Sequence, residues 1–218
     1  MAIIRKDSRE VQFKIVYCGP PLGGKTTNLH YIHRRLDPAW RGDMVSVATE
    51  QNRTISFDFL PLHAVAVQDY RARFQLYTVP GQSVMRETRR AVLAGADAVV
   101  FVADSDPARV ESNTESLVDL RSCLRENRVD PDLLPIVFQY NKRDLAGATE
   151  PEELDDRLGV STASFLASAL SGYQIFATLD AVTGHVVRGF QERFPSPDDL
   201  PRLRSSETAA VMSASLDG

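Results

Sequence analysis

A chain of 218 residues is long enough for one α/β domain with its own core, and 43% hydrophobic and 25% charged residues are ordinary for a globular protein. A formal charge of −4 gives no electrostatic reason to expect nucleic acid as a partner. The two cysteines, Cys18 and Cys123, lie in an apolar run and in a helical pattern, which reads as buried free thiols in a reducing compartment.

The first residues are too poor in apolar side chains for a signal peptide, and no run approaches the roughly 18 apolar residues of a membrane span. Ala2 stands where myristoylation needs glycine, and Ser215-Leu216-Asp217-Gly218 is not a prenylation box. A cytoplasmic protein without a direct membrane anchor is the expectation.

Taken along the chain, residues 1–10 form a lead-in. Val11, Phe13 and Ile15 alternate with polar residues and run into Val16-Tyr17-Cys18, a strand entering a core. A helix follows with Leu29, Ile32 and Leu36 on one face. Residues 44–48 and 54–60 read as short strands, and 65–79, broken by the charged stretch 69–73, as an antiparallel edge hairpin. Residues 84–94 read as an amphipathic helix whose Arg86, Glu87, Arg89 and Arg90 face solvent. The unbroken apolar run 98–102 is a strand covered on both faces. Val110, Leu117, Leu120 and Leu124 mark a long helix, and Ile136-Val137-Phe138 another buried strand. Thr149, ahead of Pro151-Glu152-Glu153, looks like a helix cap. Residues 159–172 give no clear pattern. Tyr173–Thr178 reads as the last strand, and Val186, Val187, Phe190 and Phe194 as the last helix. Prolines at 195, 197 and 201 and a Ser/Ala-rich end make 195–218 a flexible tail. Alternating strands and helices imply α/β architecture over 11–194: a mostly parallel sheet of six to seven strands with helices on both faces.

Two motifs carry chemistry. Gly19-Pro20-Pro21-Leu22-Gly23-Gly24-Lys25-Thr26 matches G-x-x-x-x-G-K-[ST] between a strand and a helix, the context that the motif requires. Glycines there let backbone N–H groups turn onto phosphate oxygens, and the helix N-terminus adds partial positive charge. Gly19, Leu22, Gly23, Gly24, Lys25, Thr26 and Thr27 are the phosphate-binding candidates, with Lys25 reaching the β- and γ-phosphates and the Thr26 hydroxyl meeting Mg²⁺. Pro20 and Pro21 have no N–H to offer, so contacts must start at Leu22.

Asn141-Lys142-Arg143-Asp144 places N-K-x-D after a buried strand, where open α/β sheets bind ligands. The Asp144 carboxylate can accept two hydrogen bonds from guanine N1–H and its exocyclic amine. Adenine offers neither, and leaving such a group unpaired is costly. Asn141 would tie this loop to the phosphate loop, and the Lys142 stem can lie along the base.

Five stretches carry a resemblance: Lys14-Ile15-Val16-Tyr17, Ser56-Phe57-Asp58-Phe59-Leu60-Pro61-Leu62, Leu76-Tyr77-Thr78-Val79-Pro80-Gly81-Gln82, Phe101-Val102-Ala103-Asp104-Ser105 and Tyr140-Asn141-Lys142-Arg143-Asp144-Leu145. Across about residues 10 to 194 the chain resembles the MglA family, bacterial Ras-like GTPases that control cell polarity and gliding or twitching motility. The resemblance implies a P-loop fold that binds GTP and GDP with Mg²⁺. It also implies a roadblock-domain, MglB-like activating protein, effectors that read the GTP form, and recruitment to a cell pole.

Ras-like proteins carry D-x-x-G-Q, whose aspartate holds a water on Mg²⁺. Thr78 stands at that aspartate here, as in the family, so metal binding is expected to lean on Thr26, Thr54 and the phosphates. Gly81 would donate its N–H to the γ-phosphate, and Gln82 would orient the attacking water. Arg53 would be an arginine finger supplied in cis, worth about 10³–10⁵ in rate. Gln82, Arg53 and Lys25 are thus the catalytic candidates.

The chain also departs from the pattern. Pro21 replaces a glycine near the γ-phosphate and would crowd Gln82 or Arg53. The guanine-contacting S-A-K of Ras, expected near Thr178-Leu179-Asp180, has no match there. Two rivals follow: a GTP-binding interaction module with little or no hydrolysis, suggested by Pro21, and an ATP-dependent P-loop kinase, which leaves Asp144 unexplained. His30 and His33 read as surface residues of a basic helix, without a ligand set for metal. Phe57, Phe59 and Leu60 read as sheet core, with part of the cluster, beside the first switch, open to face a partner.

Overall fold

The computed structural model describes residues 2–47, 57–67, 70–79 and 86–195. Among them, eight strands share one sheet: β1 (Ile3–Arg5), β2 (Glu10–Cys18), β3 (Val45–Val47), β4 (Phe57–Val67), β5 (Tyr70–Thr78), β6 (Ala98–Asp104), β7 (Ile136–Asn141) and β8 (Phe165–Leu166). Around it lie α1 (Lys25–Arg35), α2 (Arg86–Leu93), α3 (Val110–Glu126), α4 (Pro151–Leu158) and α5 (Ile175–Arg193).

The strand order is β3-β4-β5-β2-β6-β7-β8. The run from β5 to β8 is parallel, and β3 and β4 pair antiparallel with their neighbours. Seven strands therefore lie on one path, and the eighth, β1, is a lead-in strand paired antiparallel with residues 10–12 of β2. It uses the side of β2 that β6 takes up only from Ile15 onward.

Alternation along β2 divides two apolar layers. Phe13, Ile15 and Tyr17 point to one face, where Leu29 and Ile32 of α1 and Val182, Val186 and Phe190 of α5 cover them. Val16 and Cys18 point to the other, beneath Leu93 of α2, Leu117, Leu120 and Leu124 of α3, and Leu154 and Leu158 of α4. β6 is buried along its whole length, as its unbroken apolar run requires.

Several local expectations need correction. β4 and β5 do pair antiparallel, with Val67 opposite Tyr70, but residues 70–73 belong to β5, which lies inside the sheet between β4 and β2 with its polar residues alternating outward. Tyr173–Thr178 is not a strand. Gln174 adopts a positive φ of 59°, and α5 starts at Ile175, because Ile175, Thr178, Leu179 and Val182 are buried at helical spacing. That packing outweighs the β-branched and aromatic composition of the segment. The last strand is the two-residue β8, inside the stretch that has no readable pattern. Thr149 does not cap α4; Glu150 precedes the helix, Pro151 opens it, and the buried Thr149 donates its N–H to the Ser105 carbonyl at 2.8 Å.

Arg89 is not solvated. It is buried in α2 and forms an ion pair with Asp119 of α3, which also receives Arg86 at 3.0 Å. Of the aromatic cluster, Leu60 is fully buried, whereas Phe57 and Phe59 are half-buried against Tyr77 on β5.

Candidate nucleotide-binding site

Parallel strands deliver their C-terminal ends to one edge of the sheet, and that edge collects the loops that follow β2, β6, β7 and β8. The loop after β2 is shaped by its glycines. Gly19 and Gly24 have φ of 139° and 97°, a region open mainly to glycine. A Cβ on Gly19 would lie 2.2 Å from the Val102 carbonyl oxygen, and one on Gly24 would lie 2.1 Å from Asn141 Nδ2. Leu22 also has a positive φ, 62°, and its side chain is 85% exposed at the mouth.

Lys25 folds back over this loop, its ammonium donating to the carbonyls of Gly19 at 2.9 Å and Pro20 at 2.6 Å. Burial pushes its pKa down to about 8, and the nearby Arg89 guanidinium adds to that effect. The two prolines offer carbonyls in place of N–H groups. Pro20 O also accepts from Gly23 N–H, and Pro21 O accepts from the Arg109 guanidinium at 2.9 Å. Thr26 and Thr27 are exposed at the start of α1, whose first N–H groups have no partner within the helix.

Beside Thr26 lies a residue absent from the expected site. Asp58, on β4, is buried, and three hydroxyls converge on its carboxylate: Thr26 at 2.6 Å and Thr78 at 3.1 Å on Oδ2, and Ser46 at 2.8 Å on Oδ1. The Thr78 hydroxyl in turn accepts from the Asp58 N–H at 2.8 Å. A carboxylate therefore does stand next to Thr26, delivered by β4 instead of β5. Sequence reasoning missed it because β4 and β5 pair so that Phe59 faces Tyr77, which sets position 58 beside 78. The signal was the lone acidic residue in Ser56-Phe57-Asp58-Phe59-Leu60, an apolar strand.

The loop after β7 bears the second motif. Asn141 is buried and bridges the two loops, donating from Nδ2 to the Gly23 carbonyl at 2.8 Å and accepting at Oδ1 from Ala169 N–H at 2.8 Å. Lys142, with φ 69°, sends its ammonium to Asp104 Oδ2 at 2.6 Å. Asp144 is exposed at the rim.

The third loop corrects the sequence reading of the base-contacting segment. Thr178 lies within α5, bonded to Gln139 at 3.0 Å and to the Gln174 carbonyl, and faces the core. The segment beside Asn141 is instead Ala167-Ser168-Ala169, directly after β8, with Ala167 O accepting from Arg143 N–H at 3.0 Å. Ser168-Ala169 was the available signal, hidden by a strand of only two residues.

Arg53, Thr54, Gly81 and Gln82 lie outside the described residues. Of the remaining candidates, the structure brings Gly19, Leu22, Gly23, Gly24, Lys25, Thr26, Thr27, Asn141, Lys142 and Asp144 to the one edge.

A mostly parallel sheet with a G-x-x-x-x-G-K-T loop on its central strand, bridged by an asparagine to an N-K-x-D loop two strands away, defines a Ras-like P-loop GTPase. The family model described as ADP-ribosylation factor family matches residues 2–192. Over 183 residues the chain is 46% identical to the mutual gliding-motility protein MglA of Myxococcus xanthus (strain DK1622), a match covering 84% of this chain and 94% of that protein. It is 25% identical over 185 residues to the ADP-ribosylation factor-like protein alp41 of Schizosaccharomyces pombe (strain 972 / ATCC 24843), covering 80% and 87% respectively. The chain belongs to the MglA family of small, Ras-like GTPases within that wider group. Among the described residues no helix is long and apolar enough to cross a membrane.

Proposed function

We propose that this protein is a Mg²⁺-dependent GTP hydrolase whose output is conformational. It cycles slowly alone and faster with a roadblock-domain, MglB-like partner, and it serves cell polarity or motility from the cytoplasm and a cell pole. The observation that carries the catalytic half is the meeting of Thr26 with the Asp58 carboxylate beside the Lys25 loop.

The donor set suits a hard cation. Thr26 and Ser46 hydroxyls and the Asp58 carboxylate are all oxygen groups, the kind Mg²⁺ takes. A hydroxyl has one proton and two lone pairs. By giving its proton to Asp58, Thr26 keeps its lone pairs free to face a cation. Asp58 thus supplies the negative charge that Thr78 lacks. Thr26, Thr54 and Asp58 are the residues that would hold the ion. Bound there, Mg²⁺ would neutralise charge building on the β- and γ-phosphate oxygens.

The chain's own residues divide the remaining work. Lys25 would leave the Gly19 and Pro20 carbonyls for the phosphates, regaining its full charge. Asp144 would select guanine. Arg53 would stabilise transition-state charge, Gly81 would hold the γ-phosphate, and Gln82 would orient the attacking water. On hydrolysis the 53–54 and 81–82 segments would be released, changing the surface that effectors read. α2 follows the second of these segments directly and is clamped to α3 by Arg86 and Arg89, so the change would be absorbed ahead of Arg86.

Phosphate release from GTP is the test, with and without a co-encoded roadblock-domain protein. Stimulation by the partner is expected, and none from any such protein would count against this reading. One observation favours the interaction module with little hydrolysis: Arg109 holds the Pro21 carbonyl at 2.9 Å, so a ring that crowds the γ-phosphate position would not easily give way. Intact GTP persisting for days on the purified protein would choose that alternative.

A further inference from the structure

Asp104 ends β6 and is fully buried, yet it is a carboxylate. Burying a charge is costly unless it is paired, and among the described residues its cationic partner is the Lys142 ammonium at 2.6 Å. Its other oxygen accepts from the Asp106 N–H at 3.1 Å. The backbone of Asp104 is held from beneath by Asn113 of α3, also fully buried, which accepts from the Asp104 N–H and donates to the Asp104 carbonyl, both at 2.8 Å. Asp104 is therefore fixed by α3 independently of the base loop.

Lys142 needs an anchor. Its φ of 69° lies in the left-handed region, costly for a residue with a Cβ, and such a conformation persists only where its surroundings hold it. Neighbouring backbone is already set: Asp104 and Asn141 are register partners across β6 and β7, and Ser105 N–H donates to the Asn141 carbonyl at 2.9 Å. Among the described residues the Lys142 side chain is tied by its ammonium to Asp104, so its stem runs between the base loop and the end of β6.

We propose that Asp104 is a positioning residue for nucleotide-base binding, acting by pinning the Lys142 ammonium so that the lysine stem forms a fixed apolar wall against the purine. Asn113 sets Asp104 in turn, which links the base pocket to α3. This inference rests on the guanine-nucleotide reading and assigns the first of its N-K-x-D cations an anchor outside the motif. Asp144 recognises the edge of the base; Asp104 governs how firmly the face of the base is held.

The test is dissociation of fluorescently labelled GDP, chased with unlabelled GDP in magnesium buffer, from the full chain and from Asp104→Asn, Lys142→Met and the double variant. Asparagine keeps the shape at 104, and its carbonyl can still accept from Asp106. Methionine keeps an apolar stem at 142 and removes the ammonium. Each single change is expected to speed release about tenfold, the scale of one charge-assisted contact, and the double variant to be no faster than Lys142→Met alone. Release from Asp104→Asn at the unmodified rate, or effects that multiply in the double variant, would overturn the proposal. Should Asp104→Asn not fold, Lys142→Met decides alone: release at the unmodified rate means that the anchor is irrelevant. If the unmodified chain binds no labelled GDP, the guanine-nucleotide reading itself has failed, a result distinct from all of these.

Discussion

The phosphate side and the base side of this site are built on opposite principles. On the base side, Asn141, Lys142 and Asp144 are near neighbours in sequence, and a single strand end delivers them together. On the phosphate side, Thr26, Ser46, Asp58 and Thr78 come from α1, β3, β4 and β5 and meet only because the strands pair in one register. Local encoding makes the base-side motif readable from residue order, although Asp104 and Ala169 hold it from other elements. Assembly from four elements makes the phosphate side sensitive to the position of β4, the strand that begins directly after the segment carrying Arg53 and Thr54.

The comparison breaks most visibly if one half is removed. Lys25→Ala should weaken GDP and GTP binding at least about a hundredfold in calorimetry, since a charge-assisted phosphate contact and the fold of the loop are lost together. Asp144→Ala should weaken guanine nucleotides comparably while leaving loop stability intact. If Asp144→Ala bound GDP normally, the base side would be misassigned.

Joining the halves is the task of Asn141, and Gly24→Ala tests the joint. The new Cβ would sit 2.1 Å from Asn141 Nδ2 and demand φ near 97° of an alanine. A stability loss of about 2 kcal/mol in denaturant titration is expected, with nucleotide affinity falling alongside it. Unchanged stability would mean that the two loops tolerate separation.

Asp58→Asn sharpens the contrast. It keeps the shape but removes the charge facing Thr26, so GDP release should be about tenfold faster in magnesium and unchanged in EDTA. Direct titration of Mg²⁺ against the GDP complex reads the same loss without hydrolysis. A tenfold change in EDTA as well would make Asp58 a structural residue only.

The last test concerns one proton. The folded pKa of Lys25, about 8, lies below its ordinary 10.5, so between those values the unfolded chain holds a proton that the folded chain has lost. Stability of the nucleotide-free protein should therefore rise with pH across that window, by at most about 3 kcal/mol, and be flat with respect to Lys25 below it. Bound phosphates restore the charge. Nucleotide binding at pH 8 should take up about half a proton, measured by calorimetry in buffers of different ionisation enthalpy. No uptake would mean that Lys25 is fully charged before the ligand arrives.

Much of this molecule was legible from residue order. The phosphate loop, the guanine motif, the strands β2, β6 and β7 and the helices α1 and α3 all announce themselves, because each is specified by contiguous residues whose periodicity matches their burial. β8 was not legible, since two residues carry no period, and the true start of α5 was masked by strand-forming side chains around Tyr173–Thr178. Arg89 illustrates the converse: a charged residue in an amphipathic pattern reads as solvated until an Asp119 on another helix is found beside it.

Sequence alone determined that this chain has a G-x-x-x-x-G-K-T loop, an N-K-x-D motif and the family to which both belong. Those features lie within runs of eight residues or fewer, about the reach of a single turn, and local chemistry is enough to specify them. Only the tertiary structure decided which carboxylate stands by Thr26, which loop backs Asn141 and what holds Lys142. Asp58 and Asp104 come from other strands and Ala169 from the loop after β8, and contacts across a sheet depend on register, which no short stretch of residues encodes.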